Sequence, residues 1–182
     1  MQSSSPSQPE VPVMNISKEL AHVIDDANLF VHAIWKTGAD QFETEFCVDG
    51  QHPYLYENPA IANHVSGTSF LDASRQLLKA MSHLYYDIPI DNRFVMQNIQ
   101  MDFLRWAKIG KPIHAIVEAA AQERMLGGAP QTSFTGKVTF FQDGRQIGTI
   151  AGKFLTLSAA VEERLMSRQY RQEPPREGAI AA

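Results

Sequence analysis

The chain has 182 residues, 44% of them apolar, and a formal net charge of −4; that is the length of one ordinary domain, with enough apolar side chain for a real core. The charge is spread without basic blocks, so there is no electrostatic footprint for nucleic acid, and no apolar run approaches the ~18 residues that span a bilayer. A single cysteine, Cys47, excludes a disulfide framework and a thiolate metal site, and without a basic-then-apolar leader pattern a soluble cytoplasmic protein is expected.

Residues 1–13, rich in Ser, Pro and Gln, read as a disordered tail, and 171–182, with Pro174-Pro175, read the same way. The stretch between, 14–170, is expected to form a single domain. Asn15 to Asp26 can hold a short helix with Leu20, Val23 and Ile24 as its apolar stripe. Leu29 to Trp35 is rich in aromatic and β-branched residues and reads as extended. After a turn at Thr37-Gly38-Ala39-Asp40, Phe42, Thr44, Phe46 and Val48 alternate with Glu43, Glu45 and Cys47, the period of a half-buried strand. Cys47 has no visible activator and reads as a small core residue.

The clearest helix runs from about Thr68 to Tyr85. Phe70, Ser74, Leu77, Met81, Leu84 and Tyr85 form one stripe, widened by Leu71 and Leu78. A stripe that broad belongs to a helix largely covered by other structure. Ile88-Pro89 ends the segment. Four strand candidates follow, at Arg93–Trp106, Ile113–Ala121, Ser133–Phe141 and Gln146–Leu157. A Gly-rich connection spans Met125 to Pro130, and Asp143-Gly144 is a type I′ hairpin signal. Phe70, Leu77, Met81, Ile99 and Phe103 read as core. A last helix is expected from Ala159 to about Tyr170. No internal repeat is present.

This order implies an α+β fold in which an antiparallel sheet wraps around one long central helix, the hotdog arrangement. A single such unit leaves sheet edge and apolar surface exposed, so a homodimer is expected.

The candidate site lies where a loop dense in His, Asn, Pro and aromatic residues, starting at His52, runs into Gly67 and the central helix. Asp72, Arg75 and Gln76 stand at i, i+3 and i+4 and so share a helix face. Asp72 suits a general base or an orienting carboxylate. The guanidinium of Arg75 suits a phosphate. Gln76 can fix the carboxylate, donate to an acyl oxygen, or serve as a buried structural amide. Asn58, or the backbone N–H of Gly67 at the helix start, can meet a developing oxyanion. His64 and His52 are acid/base or binding candidates in the loop. His22, His32, His83 and His114 are lone in the sequence, no pair has metal-ligand spacing, and no metal is expected.

Gly67 followed by Phe70-Leu71-Asp72-Ala73-Ser74-Arg75-Gln76 resembles the Gly-x-x-x-Leu-Glu-Ala-x-Arg-Gln signature of the A-factor biosynthesis hotdog family. His52 to Pro59 is similar to that family's His-Pro-Phe-Phe-Phe-Asp-His-Pro run, and Asn63 to Gly67 to its Asp-His-Val-Pro-Gly. Pro89 to Met96 is similar to the segment just after its helix, Val-Pro-Leu-x-x-x-Phe-Val, and Leu29 to Trp35 resembles its first strand, which ends in Trp. The resemblance covers roughly Asp26 to Phe103 and implies condensation of a β-ketoacyl thioester with dihydroxyacetone phosphate. By position, Asp72 stands for the family's helix Glu, and Arg75 and Gln76 match its Arg and Gln. Three departures stand out: Asn58 replaces the His before Pro, Asp72 is one methylene shorter than Glu, and the chain has length for one hotdog unit rather than two.

The resemblance implies an acyltransferase that takes its acyl group from acyl carrier protein or coenzyme A as a phosphopantetheine thioester and needs no other cofactor. Two alternatives remain at this stage. One is thioesterase or dehydratase-like chemistry on the same fold, and the other is a non-catalytic acyl-binding module in secondary-metabolite assembly.

Overall fold

The computed structural model describes residues 12–50 and 64–172. Among these residues, seven strands and three α-helices run in the order β1 (Val13–Asn15), α1 (Lys18–Ala21), β2 (Ala33–Lys36), β3 (Gln41–Cys47), α2 (Gly67–Tyr85), β4 (Arg93–Phe103), β5 (Pro112–Leu126), β6 (Ala129–Gln142), β7 (Arg145–Leu157) and α3 (Ala159–Gln172). One antiparallel sheet takes the strands in the order β1-β2-β3-β5-β6-β7-β4. The expected fold class, a sheet around a long helix, is the one observed.

The core follows from side-chain periodicity. On β3, Phe42, Thr44 and Phe46 are buried. They pair with Val117, Ala115 and Ile113 of β5, which are also buried. Phe134, Val138 and Phe140 continue the same face on β6. Against this surface α2 lays Phe70, Ala73, Ser74, Leu77, Ala80 and Met81, all buried. The Phe70 and Phe140 rings meet edge to face at 4.8 Å, and Phe42 and Tyr85 lie 4.8 Å apart. A Cβ on Gly136 would lie 3.1 Å from Leu78 Cδ2, so glycine there lets the helix approach the sheet closely. A smaller cluster of Leu155, Leu157 and Val161 seats α3 on the far end of the sheet.

Four expectations need correction. Asn15 to Asp26 is not one helix: Asn15 belongs to β1, and α1 is four residues long, closed by His22 at φ 53° with its N–H turned back to Lys18 and Glu19. Ile24, expected on the helix stripe, is 96% exposed. Leu29, Phe30 and Val31 are buried as an irregular lead-in, and the strand proper begins at Ala33. Cys47 is exposed, because the period of two puts it on the solvent face with Glu45. Ile99 and Phe103 are 39% and 46% exposed rather than core, because β4 is an edge strand covered by β7 on one side only. At the two ends of the described residues, Val13 pairs with Trp35 and α3 continues to Gln172.

The β5–β6 hairpin is tighter than expected from sequence, and the β6–β7 hairpin is as expected. Gly127 and Gly128, both at positive φ, close β5 and β6 across two residues. Asp143 and Gly144, at φ 50° and 70°, close β6 and β7 as the Asp-Gly signal predicts.

Candidate active site

Ser66 caps α2. Its hydroxyl accepts from the Ser69 N–H at 3.3 Å and lies 2.8 Å from the Thr68 hydroxyl. This satisfies part of the orphaned first turn. At Gly67 a Cβ would stand 3.2 Å from the Phe103 ring, so β4 lies directly against the helix start. Val65 donates to the Ala107 carbonyl at 2.8 Å, and an isolated bridge pairs His64 with Lys108. The His64 ring packs on Trp106 with centroids 4.6 Å apart.

One turn into α2 the chemistry concentrates. Arg75 donates to the Asp72 carboxylate at 2.8 Å; the Asp72 side chain is 19% exposed and that of Arg75 48%. The pair faces a cleft of about 240 Å³ between the end of α1 and α2, lined by His22, Asn28, Asp72, Arg75, Gln76 and Lys79. Gln76 is buried and committed to backbone at both ends. Its Oε1 accepts from the Phe30 N–H at 2.8 Å and its Nε2 donates to the Asn28 carbonyl at 2.7 Å. It therefore fixes the cleft wall by tying the lead-in of β2 to the helix.

Lys79 stands one turn beyond Arg75 and is half-buried. Burial, with the Arg75 charge beside it, holds its ammonium below the usual lysine range, and Asp72 partly opposes this. His22 closes the cleft from the α1 side. Its Nε2 lies 2.9 Å from the His83 Nε2, with the rings stacked. His83 Nδ1 lies 2.7 Å from the Ile88 carbonyl, which can only accept, so that nitrogen carries a proton. One proton is then shared across the imidazole contact, and both rings cannot be charged together. Desolvation, followed by the charges of Lys79, His83 and Arg93, pushes His22 down to about 4. The two histidines read as lone in the sequence are thus a pair, and His114 is paired too, 2.8 Å from Glu43.

On the other flank of Arg75 and Lys79 lies an apolar crevice of about 90 Å³, walled by Leu78, Phe94, Met96 and Phe154 between α2 and β4/β7. Next to it the Ser74 hydroxyl is buried with no hydrogen-bond partner among the described residues. The two cations sit on a ridge with a polar cleft on one side and an apolar slot on the other.

Of the residues singled out from sequence, Asp72, Arg75 and Gln76 come together at this cleft. His64 and Gly67 do not line it; they stand at the helix start beside β4. Asn58 and His52 lie outside the described residues. Lys79 was missed although its spacing of i+4 from Arg75 and i+7 from Asp72 marks the same face. His22 carried no sequence signal, since it reaches the helix only through the tertiary fold. Among the described residues no group of three or more His, Cys, Asp or Glu could hold a metal ion, and no helix is long and apolar enough to cross a membrane.

Comparison with known proteins places these features in context. A family model described as the A-factor biosynthesis hotdog domain matches residues 4–158. No curated protein sequence matches the chain. A hot-dog-like protein from Thermanaerovibrio acidaminovorans superposes with a TM-score of 0.53 at 15% identity, covering 71% of this chain and 90% of that one. The E. coli PaaI protein from the phenylacetic acid degradation operon gives 0.49 at 12% identity, over 66% and 79% of the two chains. Thioesterase superfamily member 2 from Mus musculus gives 0.48 at 14% identity, over 67% and 79%. The first of these shows the hotdog fold.

Proposed function

Because the chain belongs to the A-factor biosynthesis hotdog family, we propose that it handles acyl thioesters, as an acyltransferase joining a β-ketoacyl group to a small phosphorylated hydroxy-ketone such as dihydroxyacetone phosphate. The observation that carries this reading is the Asp72–Arg75 pair, at the family's signature positions on α2 and facing a cleft that opens beside an apolar slot.

The chemistry needs a base, an anion anchor and a place for the chain. Asp72 takes the proton of the acceptor hydroxyl as its oxygen attacks the thioester carbonyl. The new C–O bond forms, the C–S bond breaks, and the departing thiolate takes the proton back from Asp72. Arg75 spends one of its five N–H donors on Asp72. The rest can hold a phosphate, which fixes the acceptor over the carbonyl. The apolar slot of Leu78, Phe94, Met96 and Phe154 receives the start of the acyl chain. No cofactor is required beyond the phosphopantetheine arm of acyl carrier protein or coenzyme A.

The acting unit in this reading is a homodimer. Val95, Met96, Ile99 and Phe103 expose large apolar side chains along β4, followed by Leu104 and Trp106, and β4 ends the sheet. A strand of that kind is stable when a second copy covers it.

The test is steady-state transfer with β-ketoacyl thioester and triose phosphate. Asp72→Asn should lower kcat by about 10²–10⁴, the span of a lost general base, while thioester binding persists. Unchanged kcat in Asp72→Asn would remove the carboxylate from the mechanism.

A further inference from the structure

The Asp72–Arg75 pair is internally neutral, but one turn on along α2 the Lys79 ammonium faces the same cleft. Among the described residues no ion pair reaches it. The chain as a whole is acidic, at −4, yet this concavity carries an uncompensated positive charge. A half-buried cation beside a guanidinium is unfavourable by both desolvation and repulsion. It is retained at lower cost where an anion completes the site. The cleft volume, about 240 Å³, accommodates a phosphate group together with the first atoms of its ester.

We propose that this cleft is a two-cation phosphate-ester subsite, in which Lys79 is the second cation beside Arg75 and His22 forms the opposite wall. The proposal rests on the acyl-thioester reading of the same site and adds the residue that selects a phosphorylated partner. Arg75 binds through its planar fork while Lys79 adds a point charge from one turn further along the helix. Asp72 stays beside the bound ester, where its carboxylate can reach a hydroxyl near the phosphate.

The wall supplies an independent readout. The groups facing His22 are Asp72, Arg75, Lys79 and His83 from α2, and Arg93 from β4, which is itself paired with Glu162 of α3 at 3.3 Å. Lys79, His83 and Arg93 each disfavour an imidazolium at His22. A phosphate placed among them favours it, so its arrival should raise the His22 titration from about 4.

The experiment is titration of wild type, Lys79→Met and Lys79→Arg with inorganic phosphate, following the His22 ring by NMR, with a thermal melt of each variant. Wild type should bind phosphate and show an upward move of His22. Lys79→Met should weaken phosphate at least ~10-fold, the loss of one charge-assisted contact, and Lys79→Arg should restore most of it. The thermal midpoint of Lys79→Met should not fall, since the lost ammonium had no ion-pair partner. Equal phosphate affinity in wild type and Lys79→Met, or a His22 titration unmoved by phosphate in wild type, would overturn the proposal.

Two kinetic arms separate the sources of the phosphate. A raised KM for triose phosphate in Lys79→Met, with kcat kept, assigns the subsite to the acceptor. A raised KM for the coenzyme A thioester but not for the pantetheine thioester assigns it to the carrier arm. Lys79-dependent phosphate binding without any acyl transfer would sink the transferase reading and leave the subsite standing. Transfer with both KM values unchanged in Lys79→Met would sink the subsite and leave the transferase.

Discussion

Gln76 holds the candidate site together without entering its chemistry. Its amide occupies the Phe30 N–H and the Asn28 carbonyl, two backbone groups that lose their partners if the side chain is removed. Gln76→Ala should therefore cost about 2–4 kcal/mol, combining buried unsatisfied groups with a cavity, read as a lower urea midpoint. Ser74 is the opposite case. Its buried hydroxyl has no partner among the described residues, so Ser74→Ala should leave the same midpoint unchanged or raise it, and a marked loss would show that the hydroxyl is bonded. His22 gives a pH signature. Its folded-state value, about 4, lies below its ordinary one, so folding favours the neutral ring. That contribution is complete above pH ~6.5 and is lost as the pH falls toward 4. His22→Phe should flatten the acid limb of the stability profile between those values.

At the scale of elements, β4 carries the most consequence. It meets β7 through a bulge between Met96 and Asn98, and the Asn98 side chain accepts from the Lys153 N–H at 2.8 Å. Gly148 and Gly152 let the two backbones approach, and a Cβ on Gly152 would fall 2.5 Å from the Asn98 carbonyl oxygen. Backbone cannot yield to that contact as a side chain tip would. Gly152→Ala should detach β4 from β7 locally, seen as loss of amide-exchange protection over 93–103 while the β5–β6 hairpin stays protected.

Which elements were legible depends on where the competing forces lay. The alternation of Phe42 to Val48, the broad stripe of α2 and the Asp143-Gly144 turn could be read because local pattern and tertiary packing agree there. Residues 15–26 misled because a helical apolar spacing is shared between the end of a strand and a single helical turn. β4 misled because Ile99, Met101 and Phe103 alternate as a half-buried strand would, and the sequence of one chain does not say that its cover is absent. The site divided the same way. Asp72, Arg75 and Lys79 are written into one helix by spacing. The His22–His83 contact joins residues 61 apart, and no local rule announces it.

For the whole molecule, the sheet order leaves β4 as an apolar edge at one end, with the slot beside α2 opening next to it. A second copy that covered β4 would therefore also close the apolar slot. Light scattering should give twice the chain mass for wild type, and Val95→Lys, which charges the exposed edge, should shift the protein toward monomer with loss of transfer activity.

The central claim is that this hotdog protein uses a helix carboxylate to pass an acyl group to a phosphorylated acceptor. Mass spectrometry of the products from a β-ketoacyl thioester, with and without dihydroxyacetone phosphate, tests it most directly when wild type is compared with Asp72→Asn. The account predicts an acyl ester of the triose phosphate that forms only when both substrates are present and disappears in the variant. Free acid formed at the same rate without the triose phosphate, or an ester that survives Asp72→Asn undiminished, would contradict it.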